Sequence, residues 1–165
     1  MSTVKEQFSI TRTFKASKQQ VFDAFANAEA LAKWWGPKGM SVDVLQLDFR
    51  PKGIFHYSMK VADAVRYGVF HYVTIEEPNR IEWINSFANE EGEIIQAPFP
   101  GLVFPKQVMN ILTLTEEDGI TTLHLTGYPI NANEEEENTY YSMFASMNQG
   151  FTGTLDQLEE YLKTV

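Results

Sequence analysis

The chain has no cysteine, which excludes disulfides, thiolate metal ligands and thiol nucleophiles in any compartment. Basic residues are scarce: 13 Lys and Arg stand against 22 Asp and Glu, for a formal net charge of -9. Neutralisation of phosphates by Lys and Arg dominates nucleic-acid affinity, so no nucleic-acid partner is expected, and anionic membrane surfaces are disfavoured for the same reason. No apolar run approaches membrane-spanning length, and residues 1–7 carry charge where a signal peptide needs an apolar stretch. A soluble, cytoplasmic protein without membrane insertion is expected. A Gly-rich phosphate loop, a Gly-x-Ser-x-Gly elbow and a His-Glu-x-x-His pattern are also missing, so no strong motif assigns a reaction or a cofactor.

What is present suits one globular domain over residues 1–165, with 44% apolar and 13% aromatic residues and neither repeats nor a linker. Residues 6–14 alternate (Phe8, Ile10, Arg12, Phe14) as a strand. Ser17 with Gln20 forms a capping box for a short helix carrying Val21, Phe22 and Phe25. Asn27 caps a second, bearing Leu31, Trp34 and Trp35, which Gly36 and Pro37 end. Four strands follow at 41–49, 54–61, 65–75 and 81–87. A Gly/Pro-rich loop over 88–106 holds Phe99, Leu102, Val103 and Phe104 and suits a lid. Strands at 107–115 and 120–128 flank the hairpin signal Asp118-Gly119. Asn133 with Glu136 then caps a helix reaching about Leu162, whose stripe Tyr140, Phe144, Met147, Phe151, Leu155, Leu158 and Leu162 recurs at steps of three and four. Gly150 and Gly153 inside it permit close packing or mark a bend.

Side-chain alternation suggests hairpin registers, because a slip of one residue exchanges the faces of a strand. A three-residue loop at 62–64 would pair Met59 with Tyr67, Tyr57 with Val69 and Phe55 with His71. A loop at 77–79 would pair Ile75 with Ile81, Val73 with Trp83, His71 with Asn85 and Val69 with Phe87. A four-residue turn at 116–119 would pair Leu114 with Thr121, Leu112 with Leu123 and Asn110 with Leu125. One sheet face becomes apolar, and with no second layer expected over the other face the sheet must curl around the terminal helix. The expected fold is α+β: a curved seven-stranded antiparallel sheet wrapped around a long C-terminal helix, with two short helices between strands 1 and 2. Such a grip leaves room for a mostly apolar pocket with a few placed polar groups.

The order of elements resembles the helix-grip fold of the START / Bet v 1-like (SRPBCC) superfamily. Within it, Phe14-Lys15-Ala16-Ser17, Val21-Phe22-Asp23-Ala24-Phe25, Trp34-Trp35-Gly36-Pro37 and the Gly150, Phe151, Gly153, Leu155, Leu158, Leu162 pattern resemble the family named for activators of the heat-shock protein 90 ATPase. Phe151 stands where that family often has tryptophan. The resemblance implies binding of a hydrophobic small molecule, or a chaperone or other protein partner.

The candidate cavity residues are Trp34, Trp35, Phe55, Tyr57, Met59, Tyr67, Val69, His71, Trp83, Asn85, Phe87, Asn110, Leu112, Tyr140, Met143, Phe144, Met147 and Phe151. The register sets His71 against Asn85 on the concave face as the one weak acid–base candidate; the competing reading is a histidine hydrogen-bonded in the core. His56 and His124 read as outward-facing, so no metal site is expected. Tandem tryptophans at a helix end equally well just pack, and the methionines equally well belong to plain core. Three functions compete: carriage of an apolar or aromatic molecule by a monomer or homodimer, an interaction module that alters a chaperone ATPase, and an enzyme using His71.

Overall fold

A computed structural model describes residues 7–36, 42–61 and 63–165. The elements run β1 (Phe8–Phe14), α1 (Lys18–Ala26), α2 (Ala28–Trp34), β2 (Val42–Leu47), β3 (Ile54–Val61), β4 (Ala64–Glu76), β5 (Arg80–Ala88), β6 (Gln107–Glu117), β7 (Ile120–Ile130), α3 (Glu134–Ser142) and α4 (Phe144–Leu162). The strands form one seven-stranded sheet in the order β1-β7-β6-β5-β4-β3-β2, with every pairing antiparallel. This is the helix-grip α+β fold that the sequence predicts. Pro37, Ser41 and Ala62, which enter the predicted turn, strand and loop, lie outside the described residues.

Local chemistry sets the helix starts. Ser17 accepts from the Gln20 backbone N–H at 3.1 Å, while the Gln20 side chain accepts from Ser17 N–H at 3.0 Å. Asn27 accepts from Glu29 and Ala30, and Asn133 and Glu136 repeat the reciprocal box at the start of α3. Each such cap stabilises its helix by about 1 kcal/mol.

The terminal helix is two elements rather than one, and the break falls at Met143, not at Gly150 or Gly153. Met143 adopts φ −103°, ψ 10°, and its N–H bonds the Tyr140 carbonyl three residues back rather than the one four back. Fully buried apolar side chains of this size contribute roughly 1.5–3 kcal/mol each; Leu155, Leu158 and Leu162 are buried, whereas Met147 and Phe151 are only half-buried. The C-terminal part of α4 is therefore the anchored part. Polar ties reinforce it: Arg12 on β1 reaches Asp156 at 2.6 Å, Thr154 donates to the Gly36 carbonyl at 2.9 Å, and Gln157 donates to the Trp34 and Gly36 carbonyls. These bonds occupy carbonyls that the end of α2 would otherwise leave unpaired.

Two strand registers differ by an odd number from expectation. β3 and β4 pair Val61 with Ala64, Tyr57 with Gly68 and Phe55 with Phe70, so their connection is one residue shorter than expected. Between β4 and β5, Ile75 faces Ile81 as expected, but a bulge between Tyr72 and Thr74 then sets Tyr72 against Trp83, Phe70 against Asn85 and Gly68 against Phe87. The β6–β7 hairpin turns on Asp118 and Gly119 alone, both at positive φ (54° and 79°), and pairs Leu114 with Leu123 and Leu112 with Leu125. That shift from expectation is even, so the faces of β6 and β7 are as predicted.

The outer face is not bare. The turn over residues 89–92 folds onto it, with His56 Nε2 at 3.0 Å from the Asn89 carbonyl oxygen and Gly92 against the His56 ring. His56, Val69 and Ser86, neighbours across β3, β4 and β5, are buried there.

Candidate ligand-binding site

The concave face is packed solid at one end and open at the other. At the closed end Trp34 is 0% exposed, donates its indole N–H to the Ala24 carbonyl at 2.9 Å and packs edge-on against Phe25. Phe70 stacks on Trp83 with centroids 4.9 Å apart, and Phe55, Ile81, Leu112, Leu123 and Leu158 complete this core. Toward the other end, β5 and β6 pair only as far as Asn85 and Val108. Beyond that point Phe87 accepts instead from the Ile95 N–H, and the loop that follows inserts Phe104 and Pro105 where the strands splay.

A cavity of about 210 Å³ lies at that split. Its walls are Tyr57, Met59, Arg66 and Gly68 from β3 and β4, Asn85 and Phe87 from β5, Phe104 and Pro105 from the loop, Val108 and Asn110 from β6, and Tyr140, Met147 and Phe151 from α3 and α4; Tyr67 and Ser86 border it beside Gly68. A shallower, more open second cavity of about 230 Å³, with Trp35, Gly36, Gly150 and Thr154 in its wall, shares Tyr57, Met59, Met147 and Phe151 with the first. Those four side chains form the partition. A larger open groove of about 640 Å³ lies outside the grip, where Lys33, Asp156, Glu159 and Glu160 line it with charge.

Two glycines shape the main cavity. A Cβ at Gly68 would be driven into the ring and hydroxyl of Tyr57, so only glycine lets that ring lie flat across the strand. A Cβ at Gly127 would stand 2.8 Å from the Tyr140 hydroxyl. Burial pushes the Tyr57 phenol up to about 12, partly offset by a hydrogen bond with the Trp35 side chain. Burial also raises Tyr140, with Tyr141 adding in the same direction. Both therefore stay protonated near neutral pH and can serve as hydrogen-bond donors, not bases.

The polar inventory of the wall is incomplete. Arg66 Nε, Asn85 Oδ1 and the Tyr140 hydroxyl are buried with no hydrogen-bond partner among the described residues, as are Trp83 Nε1 and Ser86 Oγ. Buried polar atoms in folded proteins nearly always have a partner, protein or water, and here four of these five atoms belong to residues lining or bordering one cavity.

Residues 15–163 match the family described as Activator of Hsp90 ATPase homolog 1-like protein. The chain belongs to this family. A solution structure from Staphylococcus epidermidis is similar at 26% identity and TM-score 0.76, covering 99% of this chain and 94% of that one. A crystal structure of protein Ms6760 from Mycobacterium smegmatis is similar at 25% identity and TM-score 0.73, covering 92% and 87%. A protein from Silicibacter pomeroyi titled as a member of the same family shares the fold at 17% identity and TM-score 0.72, covering 96% and 99%. No curated protein sequence matches the chain.

Set against the sequence reading, Tyr57, Met59, Asn85, Phe87, Asn110, Tyr140, Met147 and Phe151 come together around the cavity. Trp34, Phe55, Trp83 and Leu112 stand on the same side but in packed core, and Trp35 lines the second cavity against Tyr57 and Phe70. Met143 sits at the helix break, and Phe144 packs on Phe8, Tyr140 and Tyr141 rather than on the cavity. The expectation fails for Val69 and His71, which the odd register shifts turn to the outer face, where His71 stands between Ile54 and Ile84; Tyr67, turned outward as well and 5.9 Å from the His56 ring, still borders the cavity beside Gly68. An acid–base role for His71 toward a cavity-bound substrate is thereby removed.

The same shifts bring in residues that the sequence reading missed, Arg66 and Gly68 foremost. The signal available for Gly68 was a lone glycine inside a strand, which often marks a close approach.

Proposed function

We propose that the protein binds a small apolar or aromatic molecule in the cavity between the open end of the sheet and the α3–α4 junction. The family and its fold support a ligand-binding or interaction module in general. What favours a ligand is the cavity itself, bounded by Phe87, Phe104, Val108, Met147 and Phe151 and left unfilled beside an otherwise close-packed core. An apolar void of about 150 Å³ is enough to hold benzene, so about 210 Å³ suits one ring with a short substituent.

Toluene and phenethyl alcohol are expected to raise the melting temperature. At a hundredfold excess over Kd the gain is about 2.7 kcal/mol, on the order of 5–10 °C for a chain of this size. Val108→Trp, which places an indole inside the cavity, is expected to abolish the shift while the variant remains folded by circular dichroism. Absence of any shift in the unsubstituted protein rejects the proposal.

The family description favours a second reading, an interaction module acting on a chaperone ATPase. Addition of the protein to the heat-shock protein 90 homologue of its own source is the test, and unchanged ATP turnover eliminates that reading.

A further inference from the structure

We infer that the cavity selects a small carboxylic acid built on a single ring, with its carboxylate held by Arg66; this rests on the ligand-binding reading above and specifies its chemistry. Arg66 is the only charged residue in the described wall. It lies opposite Met59 on β3, two residues before Gly68, and so on the same face as Tyr57. Its guanidinium carbon stands 5.2 Å from the centroid of Phe99, which brings the loop between β5 and β6 against the cation. Its Nε is buried and has no hydrogen-bond partner among the described residues.

Of the unpartnered atoms around the cavity this is the costliest to leave alone. A buried amide oxygen or hydroxyl lacking a partner is met by one water at modest cost, whereas hydrogen bonds to a charged donor are roughly twice as strong and their loss correspondingly larger. A guanidinium offers a planar fork that matches a carboxylate. No Asp or Glu occurs in the described wall to meet it from within the protein. The protein's formal charge of -9 opposes any anion elsewhere on its surface, so a local cation in an apolar cleft confers selectivity for a ligand whose negative end is close to an apolar body. The cavity volume limits that body to about one ring.

The probes are phenylacetate and its near-isosteric neutral counterpart phenethyl alcohol, titrated by calorimetry at low ionic strength into the full chain. Phenylacetate is expected to bind at least tenfold more tightly than the alcohol. Arg66→Gln is expected to weaken phenylacetate roughly ten- to a hundredfold while leaving the alcohol within about twofold, because only the charge-assisted bonds are removed. Arg66→Lys, which keeps the charge and loses the fork, falls between them. Equal affinity for acid and alcohol in the unsubstituted protein, or an unchanged phenylacetate affinity in Arg66→Gln, overturns the assignment while sparing the cavity. Failure of both probes to bind overturns the cavity reading as well. The acid-over-alcohol preference needs no variant and decides the matter even if Arg66→Gln does not fold.

Discussion

Trp34→Ala is expected to lower the unfolding free energy by about 3–5 kcal/mol, the range for deleting a buried indole or phenyl ring. Three observations place it at the upper end. The side chain is 0% exposed; it contacts Phe25 and Trp35 edge-on, at 4.7 and 5.6 Å; and its loss orphans the Ala24 carbonyl that receives its N–H. The position also sits where α1, α2 and α4 meet, so a void there cannot be closed by one strand moving inward. Against a total stability of roughly 5–15 kcal/mol for a domain, the variant is expected to be partly unfolded near body temperature. Urea titration checks it: a loss under about 1 kcal/mol would mean that the three helices are held by something other than this ring.

Gly68→Val is expected to cost about 3 kcal/mol and to eliminate binding of toluene in the same step. Overpacking typically costs 1–3 kcal/mol when neighbours give way, and here the neighbour is not free to do so. The Tyr57 ring that an added Cβ would strike is wedged between Phe55 at 4.8 Å and Phe70 at 6.0 Å, with Trp35 at 6.2 Å. The displaced ring moves into the space that Tyr57 borders, the main cavity or the second one beside it. Coupling separates this cause from a general dislike of valine at the site: in a Tyr57→Leu background the substitution should cost at least 1 kcal/mol less, an interaction energy that a double-mutant cycle reads directly. Additive effects would show that Gly68 is required for some other reason.

The fold was largely legible in the sequence, because it depends on signals that act locally. Ser17, Asn27 and Asn133 announced their helices through side-chain chemistry that needs no tertiary context, and Asp118-Gly119 announced its hairpin. The candidate site was legible only by halves. The turn between β6 and β7 was wrong by two residues, an even slip that leaves the faces of a strand unchanged, so Asn110 and Leu112 stayed on the correct side; Asn85 and Phe87 stayed there because Ile75 faces Ile81 as expected.

On β4 both faces are apolar: Val65, Tyr67, Val69 and Val73 on one, Gly68, Phe70 and Tyr72 on the other. Alternation cannot choose between them, and the choice passes to one residue of loop length and to a bulge at Val73 that no glycine or proline marks. That single ambiguity exchanged His71 for Arg66 in the cavity wall, and with them acid–base chemistry for anion recognition. The break at Met143 was hidden for a different reason, since a stripe at steps of three and four continues across it and periodicity registers spacing, not the continuity of backbone hydrogen bonds.

That interruption separates two mechanical duties. The backbone hydrogen-bond ladder stops at Met143, so Tyr140 belongs to one helical unit and Leu155, Leu158 and the Arg12–Asp156 clasp to another. On the proposed ligand-binding reading, a guest at the open end of the grip meets the short helix bearing Tyr140, while the leucines that anchor the molecule lie beyond the interruption.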